Sequence, residues 1–545
     1  MQSTNCEAQG EPTMRLGKLI LFSFAAIFAL SSLGAGQNSS APAAPTLHVY
    51  SRETIVDVLV TDDKGQPVRG LTRSDFTVEE DGKAQPIRGF YEYDKTSPPA
   101  PARTLPPNTY TNSTALPVSG PIQIFLFDRL ATPPAVMQRA KQYIADYFRT
   151  MPAGTQVAIF EFSPTKNLAL LQGLTSDGRL AAAAVDKLDV EWNPSVGTIA
   201  GKPIFVAGLH QIAAYVAGIH GRKNLIWIRP GSPVPILHDG GLSWGVRDMV
   251  YIHQLMTLYD IFTREQIAIY PLNPKGVHTI GPVGLPAGTM DSIDAAVAFL
   301  GKAEVPLLEA AVADGTGGAT SNSNDFQGTI AKIVDDTLHG YSLSYVPPRP
   351  DEDGHYHTVN IKLNRPGLHL NYRPGYNDEQ PFPLDAVLKQ QMIQGPMHLG
   401  AIPATQILFD LNVRPASAAR PAKTPVSSPA PPRTKSVPYD TTFTFDPTQI
   451  ALTEAPDGIR TASIELDLGA FDFYGKLVAT RSQTFKITVT PAQYDGFFRT
   501  PLKLSLPIDL PRGQLKLRAG VFDTAANKAG TLEIPLTVPK SVAQR

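Results

Sequence analysis

Between residues 122 and 272 the apolar residues fall in short continuous runs, IQIFLF, VAIFEF, LALL, LIWI and IAIYPL. The stretches between them repeat apolar positions at helical spacing, as with Val136, Ala140, Ile144 and Phe148. Continuous apolar runs suit strands buried on both faces, and amphipathic helices between them suit the covering layers. Further helices are predicted over about 203–218, 247–265, 305–314 and 325–338. The runs YSLSYV and YHTVNIKL that follow are expected to pair as an antiparallel edge. Residues 122–376 are therefore predicted to form a doubly wound, Rossmann-like α/β domain with a mostly parallel sheet.

On either side the period shortens to two. Residues 46–94 read as a small β module, in which Asp81-Gly82 lies between strand-like runs as a hairpin signal. Residues 95–121 hold seven prolines and few large apolar side chains, the composition of a linker that cannot offset its ordering entropy. Residues 400–540 are predicted to form a C-terminal antiparallel β-sandwich. There Leu502, Leu504, Leu506 and Ile508 share one face, as do Leu532, Ile534, Leu536 and Val538. A proline-rich insertion at 415–438 carries Arg420, Lys423, Arg433 and Lys435 and reads as a solvated loop.

Composition narrows the function classes. Lys plus Arg (48) nearly balance Asp plus Glu (49), so the chain has no basic footprint for nucleic acid. At the N-terminus, Arg15 and Lys18 precede the apolar run 19–33, and Gly34, Ala35 and Gly36 follow in the order of a secretory signal. That run is shorter than the roughly 20 residues a span requires. We expect export to the periplasm, cell surface or medium, a mature N-terminus near Gln37 and no membrane span after cleavage, with residues 1–13 an upstream extension and Met14 a plausible start. The single cysteine, Cys6, lies in that extension, so disulfide, thiol and Cys-ligated metal chemistry are not expected in the mature chain.

Ligands of open α/β sheets bind beyond the carboxyl ends of the strands. The first parallel strand ends in FDRLATPP, which brings Asp128, Arg129 and Thr132 to that position. The placement resembles the metal-ion-dependent adhesion site of von Willebrand factor type A (vWA) domains. More closely, residues 46–376 resemble the bacterial VWFA-related family known from acidobacteria. The pieces that carry this are VDVLVTDDKGQPVRGLTRSDFTVEEDGK, FDRLATPP, PAGTQVAIFEFS, GRKNLIWIRPG, EQIAIYPLNPKG and LNRPGLHLNYRPGY, in that order.

The resemblance implies a noncatalytic protein-binding module with an extracytoplasmic protein partner. It also implies a metal site of carboxylate and hydroxyl ligands, to which Asp128 and Thr132 correspond, with Thr198 matching a second loop. The pattern is degenerate: Leu130 replaces the central hydroxyl, and Arg229-Pro230-Gly231 stands where a third-loop aspartate belongs. Weak Mg²⁺ or Mn²⁺ binding, or none, is expected, and no other cofactor. The alternative role for Asp128 is to cap the following turn or helix. Without a metal, Arg129 and Arg229, beside Asp128 and Thr132, would meet an acidic partner group directly.

The rival reading is a secreted hydrolase. Ser243 in GLSWG matches G-x-S-x-G, but no apolar strand precedes it, so a polar loop is preferred. His355 and His357 share a strand face and could ligate metal with Asp351 or Asp353, although an exposed edge strand is the simpler account. Asp335 and Asp336 read as solvated, and Gly317-Gly318 as a helix-to-strand turn lacking the lysine and hydroxyl of a phosphate loop.

Overall fold

The computed structural model describes residues 53–93, 104–113, 121–130, 132–163, 167–190, 201–230, 258, 261–275, 313–320, 323–347, 356–377, 395–416 and 436–539. The secretory-type segment, Thr198, Ser243, Asp351, Asp353 and His355 lie outside them, as do most of the helices expected over 247–265 and 305–314.

The chain begins with strands β1 (Thr54–Asp62), β2 (Phe76–Glu80), β3 (Lys83–Gln85) and β4 (Gly89–Tyr93). β2 and β3 form the expected hairpin, with Glu80 opposite Lys83 and a two-residue turn, Asp81 and Gly82, at φ 49° and 74°. Positive φ at both positions matches the right-handed twist of the flanking strands. A short strand β5 (Thr109–Thr111) follows.

The α/β unit comprises β6 (Ile122–Asp128), α1 (Pro134–Thr150), β7 (Gln156–Ser163), β8 (Asn167–Thr175), α2 (Gly178–Asp186), α3 (Gly201–Val216), β9 (Lys223–Ile228), β10 (Ile267–Leu272) and α4 (Phe326–Thr337). Its sheet runs β10-β9-β6-β7-β8, with β8 antiparallel to β7 and the other pairings parallel. Each of the five apolar runs forms a strand of this sheet. Side chains alternate between two cores. Leu126, Phe160 and Trp227 pack with Ile212 of α3, whereas Phe125 and Ile226 pack with Ile144 and Phe148 of α1 and Ile330 and Val334 of α4. Helices thus cover both faces, as a doubly wound sheet requires.

The expected antiparallel edge does not form. β11 (Gly340–Tyr345) instead lies between β1 and β4, and β12 (Tyr356–Leu363) pairs with β2. With β13 (Leu368–Asn371) and β14 (Gly375–Asn377) they complete two sheets, β13-β1-β11-β4 and β14-β12-β2-β3. The reason is burial: Val56, Val58 and Val60 of β1 need an apolar cover that residues 46–94 alone do not supply, and Tyr341, Leu343, Tyr345, Val359 and Ile361 provide it. The N-terminal β module is therefore closed by residues 340–377, and the α/β unit is inserted between its halves.

The edge of β10 is covered instead by residues 313–320. Ile269 N donates to Thr316 Oγ1 (2.9 Å). Gly317, at φ 74°, makes the turn expected of it, with Gly318 N donating to Ala313 O (2.8 Å).

The C-terminal part contains β15 (Phe409–Pro415), β16 (Ser436–Phe445), β17 (Thr453–Glu454), β18 (Arg460–Phe471), β19 (Leu477–Val489), β20 (Leu502–Ser505), β21 (Ile508–Pro511), β22 (Gly513–Asp523) and β23 (Lys528–Val538). These strands form two antiparallel sheets around one core. Leu506, Ile508, Ile534 and Val538 are buried in it, and Leu502, Leu504, Leu532 and Leu536 pack at its margin.

The first proline-rich segment is not wholly a linker. β5 pairs with β15, and the Asn112 amide donates to Ala404 O (3.3 Å) and Ile407 O (2.9 Å) while accepting from Phe409 N (2.8 Å). One polar side chain thereby supplies what apolar burial does not. Replacing Asn112 with alanine takes this partner from Ile407 O and Phe409 N, while Ala404 O still accepts from Thr531 N (2.8 Å), and should cost about 2–3 kcal/mol. The urea midpoint reads this out, and an unchanged midpoint would show that the segment is only loosely docked.

Candidate functional site

β6 and β9 are adjacent parallel strands, so their carboxyl ends bring Asp128 and Arg229 side by side. Arg229 Nη1 lies 3.3 Å from Asp128 Oδ2, and both side chains are largely withdrawn from water, at 12% and 3% exposure. Trp227, two residues before Arg229 on β9, places its ring centroid 5.7 Å from the guanidinium carbon. Next to this pair, Arg129 Nη1 reaches Glu161 Oε2 of β7 at 3.3 Å, and its Nη2 lies 3.5 Å from Asp189 Oδ2 at the exposed rim. Four charges of alternating sign thus line the ends of three neighbouring strands.

This arrangement departs from two expectations. Of the turn and the helix that Asp128 is expected to cap, the helix is not capped by it: α1 starts behind Pro133, with Pro134 as its first residue, a position where a missing N–H costs nothing. Arg129 and Arg229 do not stand open for a partner's carboxylate, because each already pairs within the chain. Two ion pairs desolvated together hold each other in place, which is why neither arginine extends outward.

Among the described residues, those at the strand ends do not make up a divalent-cation site. Such an ion needs about six oxygen ligands. Here the Asp128 carboxylate faces a fixed guanidinium charge, and Leu130 packs against the apolar core. Thr132 does bring a buried hydroxyl with no hydrogen-bond partner among the described residues, and Thr198 lies outside those residues. A permanent positive charge 3.3 Å from the principal carboxylate opposes a dication.

The second candidate, on β12, takes a different form. His357 is buried, and its Nδ1 lies 2.8 Å from Asp81 Oδ2, an aspartate the sequence pattern marks only as a turn residue. Asp81 Oδ1 also accepts from Thr358 N (2.9 Å) and Thr358 Oγ1 (3.2 Å). Beside them the buried Glu80 carboxylate accepts from Tyr345 Oη (2.6 Å) and Tyr376 Oη (2.9 Å). Glu80, Asp81 and His357 are close enough to share an ion, yet each already has protein partners, and the cluster reads as a latch joining the two halves of the sandwich. Asp335 is exposed as expected, whereas Asp336, paired with Lys332 (2.8 Å), is half-buried, and burial raises its carboxyl pKa.

Burial opposes the charge of Asp81, but the His357 bond and the Thr358 amide outweigh it and hold the carboxyl below the usual 3.8. The sign follows from linkage. A depressed folded pKa contributes stability that is complete above the unfolded value of roughly 3.9 and is lost as pH falls through the folded value. Acid titration should therefore show a loss of stability beginning below about pH 4 that Asp81→Asn lacks. Identical acid limbs for both chains would remove Asp81 from the latch.

No protein-family model and no curated protein matches the chain. Among solved structures it is similar to proximal thread matrix protein 1 of the mussel byssus, at 14% identity and a TM-score of 0.23 over 40% of this chain and 48% of that one. It is similar to BatB from Bacteroides thetaiotaomicron, at 16% identity and a TM-score of 0.23 over 40% of this chain and 98% of that one. It is also similar to the SpRpn10 VWA domain, at 12% identity and a TM-score of 0.21 over 40% of this chain and 94% of that one. The chain thus spans about half the mussel protein's length, 48%. Likenesses this loose carry no argument by themselves, and the fold rests on the strand order β10-β9-β6-β7-β8. No helix among the described residues is long and apolar enough to cross a membrane.

Proposed function

We propose that this protein is an exported, noncatalytic binding module of vWA type that captures a protein partner on the carboxyl-end face of its parallel sheet, without a bound metal ion. The observation that carries the metal-independent part is the Asp128–Arg229 pair: a guanidinium stands where a cation would otherwise balance the carboxylate. Export rests on the order of charge, apolar run and small residues from 15 to 36. The partner-binding reading rests on the site's position at the strand ends and on the resemblance of residues 46–376 to VWFA-related proteins. The hydrolase reading is not favoured by His357, which is tied to Asp81, and Ser243 lies outside the described residues.

Two measurements test this reading. Thermal unfolding in millimolar Mg²⁺ or Mn²⁺ and in EDTA should coincide for wild type and for Asp128→Ala, since a ligand at 100 times its dissociation constant would add about 2.7 kcal/mol. Partner capture from envelope extract should survive EDTA and weaken in Asp189→Lys, which reverses the exposed rim charge beside Arg129. Capture lost in EDTA but kept in Asp189→Lys would overturn the proposal in favour of a metal bridge.

A further inference from the structure

Where the N-terminal sandwich meets the α/β unit, a cavity of about 20 Å³ lies among Asp57, Arg222, Phe262, Gln266, Thr316 and Arg373. That is room for one or two water-sized species. Its charges do not balance. Asp57, on β1, is 8% exposed and receives Gln266 Nε2 on both oxygens, at 3.1 and 3.0 Å. Gln266 holds that position in the left-handed region, at φ 55°.

Facing this one carboxylate are two buried guanidinium groups, Arg222 (4% exposed) and Arg373 (9% exposed). Arg222 donates from Nε to Asn224 Oδ1 (3.0 Å) and from Nη2 to Tyr270 Oη (2.9 Å) and Gly317 O (2.5 Å), which leaves Nη1 over. Arg373 donates from Nη2 to Ile55 O (2.8 Å), and its Nε is buried with no hydrogen-bond partner among the described residues. Nearby, Lys223 Nζ donates to the backbone Glu265 O (2.8 Å), and the Glu265 and Asp57 carboxylates both favour its charge. Among the described residues the guanidinium groups facing Asp57 therefore outnumber it, at a site where burying an unpaired charge is costly.

We propose that this cavity binds one halide-sized monovalent anion, such as chloride, between Arg222 and Arg373, and that the anion ties the N-terminal sandwich to the α/β unit. The small volume favours a halide over phosphate or sulfate, the unused guanidinium N–H groups supply the donors, and the excess of positive charge sets the sign. A water molecule fits the volume but leaves the charge unbalanced. The site is separate from the strand-end face and does not depend on its role.

The test is thermal unfolding of the full chain in chloride against gluconate at equal ionic strength, gluconate being too large to enter. Wild type should gain a saturable increase in Tm with chloride. Arg373→Gln, which removes the excess charge, should lose that increase. Asp57→Asn, which adds to the excess, should bind chloride at least about tenfold more tightly. Coincident chloride and gluconate curves for wild type, or a response retained in Arg373→Gln, would overturn the proposal. Should either variant fail to fold, bromide soaked into wild-type crystals decides: an anomalous peak between the two guanidinium groups supports the site, and its absence rules it out.

Discussion

Replacing Arg229 with leucine should destabilise the chain by about 3–5 kcal/mol, the usual result of removing one member of a buried ion pair. Asp128 is 2% exposed at the end of a central strand, so loss of its guanidinium partner leaves a carboxylate where water cannot readily solvate it. Leucine keeps only an apolar stem, so the contact of the guanidinium with the Trp227 ring is lost together with the ion pair. The double variant Asp128→Leu/Arg229→Leu should recover much of the stability, because an apolar pair can replace a buried ion pair at little cost. Urea denaturation of the wild type, both single variants and the double variant closes the cycle and gives the coupling directly. A coupling below about 1 kcal/mol would place the pair among weak, solvent-screened contacts and remove the physical ground for metal independence.

That pair also shows where reading the sequence stopped short. Arg229 counts there as a missing ligand, because the motif expects a carboxylate at its position. What its side chain supplies, a cation aimed at Asp128, depends on β9 lying next to β6, a neighbour relation that spacing does not encode. The parallel strands themselves were legible, since burial on both faces demands the continuous runs IQIFLF and IAIYPL that became β6 and β10. In YSLSYV, by contrast, Tyr341, Leu343 and Tyr345 alternate with serines, the pattern of a strand buried on one face. The alternation pointed away from a doubly covered sheet and toward the sandwich in which β11 sits. Asp81 was legible as a turn residue, but its bond to His357 joins positions 276 residues apart, beyond any local signal. Likewise Thr109–Thr111 is too short for a strand pattern, and its order depends on the Asn112 amide.

The segment that closes the edge of β10 gives the second large expected effect. A Cβ on Gly318 would lie 1.9 Å from Ile269 O and 2.8 Å from Ile269 C, both backbone atoms of the edge strand that cannot rotate aside. Gly318→Ala must therefore push residues 313–320 off the strand, breaking the Ile269 N to Thr316 Oγ1 bond and uncovering an edge amide. Overpacking of this kind costs about 1–3 kcal/mol, and a buried amide left unpaired adds about 1–3 more. The control lies three residues earlier at Gly315, where a Cβ would have nothing within 4 Å and alanine meets open space. Gly315→Ala should be neutral or stabilising by up to about 1 kcal/mol through the unfolded chain. Because both variants add one methyl group to the same short segment, the difference between their denaturation midpoints isolates the backbone contact. Equal midpoints would mean that the segment yields without loss and that β10 does not depend on it for cover.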